Sequence, residues 1–202
     1  MKIIDRIETL DKRRKKLFVD GEFAFALYLG EIRQFGLEEG GELSEELYQK
    51  ILSEIIFRRA RERAVYWLKC SARTEEELRR KLKDGSYPQA AADYVIELLK
   101  RYGYINDEEY ARNFIEVHAR GKSRAELCAM LSRKGVSREC VSRLLEENPV
   151  DEETQIRHIL EKRRFSPEKA DQKETAKQIS YLMRKGFSYD TVRKVFSEAF
   201  VR

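Results

Sequence analysis

The sequence predicts a mainly all-α protein: three tandem three-helix repeats forming an elongated curved array, with a small N-terminal β-hairpin cap. Three observations carry this reading. From Ser44 onward the pattern is helical, and helix-start and helix-stop residues recur. A segment of similar pattern appears three times, its central leucines Leu82, Leu131 and Leu182 separated by 49 and then 51 residues. Only 3 Pro and 10 Gly among 202 residues argue against disorder and against a loop-rich β fold. A chain that is 42% hydrophobic and 38% charged suits small modules with much exposed surface better than one deep core.

The first elements are strands. Asp20-Gly21 lies between Leu17-Phe18-Val19 and Phe23-Ala24-Phe25-Ala26-Leu27, and both turn residues tolerate positive φ, which predicts a hairpin. Ile3, Ile4 and Ile7 are expected to supply a third strand. The stretch 31–41, ending in Gly40-Gly41, reads as a connector. Ser44 is then the expected cap of one long amphipathic helix through Cys70, with Leu47, Ile51, Ile55, Ala64 and Trp67-Leu68 on its apolar face.

Later helix starts are marked by Thr74 with Glu77, Asn106 with Glu109, and Ser123 with Glu126. In each pair the cap side chain takes one orphan N–H and the acid reaches back to another. Gly103, Gly121, Gly135 and Gly186 mark helix ends. Aligned on the three leucines, Tyr87, Val136 and Phe187 coincide, and each segment leads into another amphipathic helix. Those helices carry Val95, Leu98, Leu99 and Tyr102; then Val141, Leu144 and Leu145; then Val192, Val195 and Phe196. The first unit has Gly85-Ser86 where the others have their glycine one place later, so its turn is expected to differ. Phe165-Ser166-Pro167-Glu168 is a connector, since Pro suits a first helical turn. The resulting divisions are a β-rich extension at 1–43 and repeats at 44–105, 106–149 and 150–202.

Charge narrows the function. Forty-one basic residues face 36 acidic ones, for a net charge of +5 and a pI of about 9.0. That surplus favours an anionic partner, nucleic acid or an acidic protein surface. Cys70, Cys128 and Cys140 form no C-x-x-C pair, which points to free, mostly buried thiols in a reducing cytoplasm. No apolar run is long enough to span a membrane, and Lys2, Asp5 and Arg6 interrupt any signal-peptide core. His118 and His158 sit in no metal-ligand spacing, and no nucleophile motif is present, so neither an enzyme nor a cofactor is expected.

Several segments together resemble a known family. Tyr102-Gly103-Tyr104-Ile105-Asn106-Asp107-Glu108-Glu109-Tyr110-Ala111 is similar to a signature of the RecX regulators of the RecA recombinase. So are Ala72-Arg73 before Thr74, the Arg133-Lys134-Gly135-Val136 segment, and Arg184-Lys185-Gly186-Phe187-Ser188. The resemblance covers about residues 60–202, and the N-terminal hairpin resembles an extension seen in some members. Lys69-Cys70 and Ser86 depart from the usual pattern. The resemblance implies a protein that binds RecA and its filament on single-stranded DNA and mostly inhibits recombinase, ATPase and co-protease activity; a cytoplasmic location is expected from the cysteines and the absence of a span, and a monomer is expected. Single- or double-stranded DNA is a further candidate partner. The alternative is a helical repeat protein that binds DNA directly, independent of RecA.

The candidate contact residues are basic. Lys12, Arg13, Arg14, Lys15 and Lys16 form the densest run, suited to phosphate contact or equally to a solvated strand edge or loop. Arg59 and Arg63 share a face of the long helix. Arg79, Arg80 and Lys81, then Arg133 and Lys134, then Arg184 and Lys185, lie on equivalent helices. They could merely complement helix dipoles, or could build a basic stripe, which is the preferred surface. Lys122 and Arg124 flank a helix start. Tyr102, Tyr104 and Tyr110 are expected to pack an inter-helix corner, with base stacking the alternative. Trp67 is expected in the core.

Overall fold

The computed structural model describes residues 1–166 and 170–199. Pro167 and Glu168 of the expected connector lie outside the described residues. The chain divides into two compact units, Met1–Asn106 and Asp107–Arg202.

The first unit opens with four strands, β1 (Lys2–Thr9), β2 (Arg14–Val19), β3 (Glu22–Tyr28) and β4 (Glu42–Leu43), in the antiparallel order β3-β2-β1-β4. The β2–β3 turn is the expected one: Asp20 and Gly21 have φ of 51° and 83°. It is tied to β1, because the Asp5 carboxylate accepts from the Gly21 N–H at 2.5 Å and the Asp20 carboxylate accepts from the Ile3 N–H at 3.0 Å. The stretch read as a connector holds a short helix, α1 (Leu29–Gln34). Six residues give too few turns for a visible periodicity. Its start is held by the Glu31 carboxylate, which accepts from the Tyr28 N–H at 2.9 Å.

The long helix is continuous over α2 (Glu45–Lys50), a π-helical stretch (Ile51–Phe57) and α3 (Arg58–Cys70). Ser44 caps it, its hydroxyl accepting from the Leu47 N–H at 3.1 Å. The wider π turns rephase the apolar stripe. Ile51, Ile56, Ala60 and Ala64 are buried, whereas Ile55 is only half-buried. Helices α4 (Glu75–Asp84) and α5 (Gln89–Arg101) complete the unit, and α3, α4 and α5 pack on one another. Thr74 and Glu77 form the full capping box. Ile4, Leu17, Phe25 and Leu27 of the sheet share one core with Ile51, Leu78, Leu82 and Val95 of the helices.

The second unit contains α6 (Asp107–His118), α7 (Arg124–Arg133) and α8 (Arg138–Glu147), then α9 (Glu152–Lys162), α10 (Gln172–Arg184) and α11 (Tyr189–Ala199). Each trio has its own core. Ala111, Leu127, Leu131 and Leu144 belong to the first, and Ile156, Leu182, Val192 and Phe196 to the second. Ser123 joins them. It is fully buried, its hydroxyl accepts from the Glu126 N–H at 3.0 Å, and it donates to the Lys185 carbonyl at 2.7 Å.

The repeat shows most clearly at the turns. The backbone N–H of Tyr87, Val136 and Phe187 donates to the carbonyl of Leu82, Leu131 and Leu182 at 3.0, 3.1 and 3.2 Å. The expectation of a different first turn is therefore corrected. Ser86 itself takes the left-handed conformation, φ 60°, where Gly135 and Gly186 have 88° and 87°. Gly85 is a glycine for a separate reason: a Cβ there would meet the Tyr87 ring at 3.1 Å and the Leu82 carbonyl at 3.3 Å. Ser86→Gly is expected to stabilise the first unit by about 1 kcal/mol, because it removes a left-handed penalty from a residue with a Cβ. The urea midpoint of the single tryptophan, Trp67, reads this directly.

Other expectations are corrected. Tyr102 and Tyr104 do not pack a corner; they are 68% and 66% exposed, since the left-handed Gly103 between them turns the chain outward at the end of α5. Cys70 is exposed, on the last residue of α3, rather than buried. Trp67 only borders the core, for a reason that belongs to the site below.

Candidate nucleic-acid interface

The densest cationic run does not act as one patch. Asp11 closes the β1–β2 turn by accepting from the Arg13 and Arg14 N–H groups at 2.9 and 2.8 Å, and from the Arg14 Nε at 2.8 Å. Those bonds, the Arg13 N–H first and then the Arg14 side chain, hold the Asp11 carboxyl below the usual carboxylate range. Arg13 is left displayed at the tip of the turn. Lys12 is exposed beside it. Lys15 instead borders a cleft with Ile7, Ile32 and Leu37, and the Lys16 Nζ lies 5.8 Å over the Phe23 ring.

The long helix contributes next. Arg63 and Trp67 are four residues apart and share a face of α3. The Arg63 guanidinium lies 5.3 Å from the Trp67 ring centre and 5.4 Å from that of Tyr66. From the last turn of α4, the Lys81 Nζ lies 5.2 Å from the same Trp67 ring. Cation–π contacts of this kind contribute roughly 0.5–1 kcal/mol at exposed sites and hold long side chains in one orientation.

These pieces line one groove of about 650 Å³ in the first unit. Arg13, Arg14, Arg63 and Lys81 supply positive charge, and Asp11 and Asp84 negative charge. Tyr28, Trp67 and Tyr87 supply aromatic surface. Burial pushes the Tyr87 phenol up, against the opposing pull of Arg14, Arg63 and Arg59, so it is an O–H donor at neutral pH. Arg13, Arg63 and Lys81 form no ion pair among the described residues, which leaves their charge available to a ligand.

Elsewhere the candidate cations are mostly engaged. Arg59 pairs with Glu31 through both terminal guanidinium nitrogens and lies 4.6 Å over the Tyr28 ring. Arg79 bridges Glu75 at 2.8 Å and Asp93 at 2.5 Å. Burial works to raise the Glu75 carboxyl, but hydrogen bonds from Lys100 and Arg79 outweigh it and hold the group below its ordinary value. Lys134 lies 5.4 Å over the Tyr110 ring and 5.9 Å over Phe114. Lys122 and Lys185 both reach Glu126, at 3.5 and 3.4 Å. Arg124 reaches Glu146 at 3.4 Å, and its own N–H donates to Glu152 at 2.7 Å. Arg80, Arg133 and Arg184 are exposed.

Sequence reasoning missed the groove as a unit. Its residues come from positions 11–14, 28, 63–67 and 81–87, and only the Arg63–Trp67 spacing of four was a signal. Tyr28 and Tyr87 had none. Among the described residues no helix is long and apolar enough to cross a membrane.

Family models for the first, second and third three-helix domains of RecX match residues 60–99, 106–145 and 151–196. The regulatory protein RecX of Caldanaerobacter subterraneus subsp. tengcongensis is 31% identical over 199 residues, covering 96% of this chain and 98% of that one. That of Clostridium beijerinckii is 27% identical, over 95% and 92% of the two chains. A crystal structure of regulatory protein RecX matches with a TM-score of 0.65 at 23% identity, covering 96% of this chain and 98% of the other. The structure of RecX from Lactobacillus salivarius matches with a TM-score of 0.62 at 22% identity, over 72% and 97%. These two likenesses show the shared fold. The family models and the full-length relative show more: this chain belongs to the RecX family of regulatory proteins.

Proposed function

We propose that this chain regulates RecA by binding it and its filament on single-stranded DNA, and that it mostly inhibits recombinase, ATPase and co-protease activity. The observation that carries the reading is family membership along nearly the whole chain. The chain acts in the cytoplasm, as a monomer, by occupying a surface rather than by catalysis. Contact with the filament falls to the exposed cations Arg80, Arg133 and Arg184, because Arg79 and Lys185 pair with carboxylates and Lys134 is half-buried against Tyr110 and Phe114.

Added in substoichiometric amounts to preformed RecA filaments on single-stranded DNA, the protein is expected to cause a progressive loss of ATP hydrolysis. Charge reversal at Arg80, Arg133 and Arg184 together is expected to weaken that loss while leaving the far-ultraviolet circular dichroism unchanged. Undiminished ATPase, with co-sedimentation also negative, would sink the proposal. Full inhibition by the triple variant would remove those three cations from the contact surface.

A further inference from the structure

We infer that the groove between the β1–β2 turn, α3 and the α4–α5 turn is a binding site for single-stranded nucleic acid, independent of RecA. The site depends on Arg13 and Arg14, which lie outside the three matched family domains. It is therefore built by the N-terminal sheet together with the first repeat.

Three features select the ligand. First, Arg13, Arg63 and Lys81 converge on the groove without an ion-pair partner among the described residues, whereas Arg59 and Arg79 in the same unit are tied to carboxylates. Guanidinium groups donate in a planar fork that matches two oxygens of a phosphodiester. Second, the Trp67 ring holds both Arg63 and Lys81, so these two charges are oriented before any ligand arrives. Less side-chain freedom is then lost on binding. Third, Asp84 shares the groove with the cations. A compact polyanion or an acidic peptide would meet a like charge there. A single strand alternates phosphates with base edges, and the exocyclic amine of a base donates to a carboxylate. A volume of about 650 Å³ holds more than a lone phosphate and suits a short stretch of strand. In a duplex the base faces are stacked on one another and closed to the aromatic surface of Tyr28, Trp67 and Tyr87, whereas an unstacked strand can offer them.

The chain carries its own probe, because Trp67 is its single tryptophan and lines the groove. Titration of the full chain with a short oligodeoxycytidylate, whose bases carry the exocyclic amine, without RecA, is expected to change Trp67 emission and to raise the anisotropy of a labelled strand in parallel. Affinity is expected to fall with salt with a log–log slope of about −0.7 for each phosphate contacted. Arg13→Glu and Lys81→Glu are each expected to weaken binding roughly tenfold and to flatten that slope. Arg13 lies on an exposed turn, so Arg13→Glu tests the site without disturbing the core. Arg184→Glu, in the other unit, is expected to leave the affinity within twofold. Equal binding of a duplex of the same length would overturn the single-strand assignment. So would a Trp67 response to polyglutamate in place of the oligonucleotide. Unchanged affinity in both Arg13→Glu and Lys81→Glu would remove the site altogether. The RecA reading is scored separately, by ATPase inhibition, so either can fail while the other stands.

Discussion

Phe25→Ala is expected to destabilise the first unit by about 3–5 kcal/mol, the range for removing a large aromatic from a packed core. Phe25 is fully buried on β3 and packs 5.5 Å from the Tyr48 ring of α2. The strands and the helices here share one core, so the loss should not be confined to the sheet. Trp67, on α3, borders that same core and reports the unfolding. A fall in the urea midpoint followed by Trp67 fluorescence, with a single transition, is the expected result. If the sheet melts alone and the Trp67 transition stays put, the N-terminal strands are an independent cap and the shared core is not cooperative.

Gly186→Ala is expected to cost the second unit about 3 kcal/mol, more than a left-handed alanine alone, which costs roughly 1–2 kcal/mol. Gly186 has φ 87°, and a Cβ there would lie 2.9 Å from the Ser123 hydroxyl oxygen and 3.0 Å from the Ala125 Cβ. Ser123 is the buried cap of α7 and also donates to the Lys185 carbonyl, so neither it nor α10 can move without breaking a hydrogen bond. Gly103→Ala is the internal control. Its φ is 72°, but no atom lies within 4 Å of the added Cβ. It should show only the conformational cost. Ser123→Ala is expected to lose about 2 kcal/mol through the missing cap and the unpaired carbonyl. Combined with Gly186→Ala, it should cost less than the two added separately, because the obstructing hydroxyl is gone. For Gly186→Ala and Ser123→Ala the second-unit transition, followed by circular dichroism, should shift while the Trp67 transition does not; Gly103 belongs to the first unit, so its variant is read at Trp67. Equal losses for Gly186→Ala and Gly103→Ala would show that the tight approach to Ser123 carries no energy.

Much of this chain was legible locally. Hairpin turns, helix caps and helix stops are decided by one to four neighbouring residues, so Asp20-Gly21, Thr74 with Glu77, and Gly103, Gly121, Gly135 and Gly186 all read correctly from the sequence. The three-fold repeat was legible because packing forces Leu82, Leu131 and Leu182 to the same place in each turn. Only the tertiary structure decided the rest. The π-helical stretch changes which residues of the long helix face inward, and no local preference announces it. Ser86 accepts a conformation its side chain disfavours because the Leu82–Tyr87 hydrogen bond and the packing around it hold the turn. The charges show the limit most sharply. Arg59, Arg63, Arg79 and Lys81 look alike in sequence, yet two are tied to carboxylates distant in the chain or on a facing helix and two are presented to a groove. Whether a cation is spent on the fold or offered to a partner depends on what stands within a few ångströms of it, and in this protein those neighbours come from segments far apart in the chain.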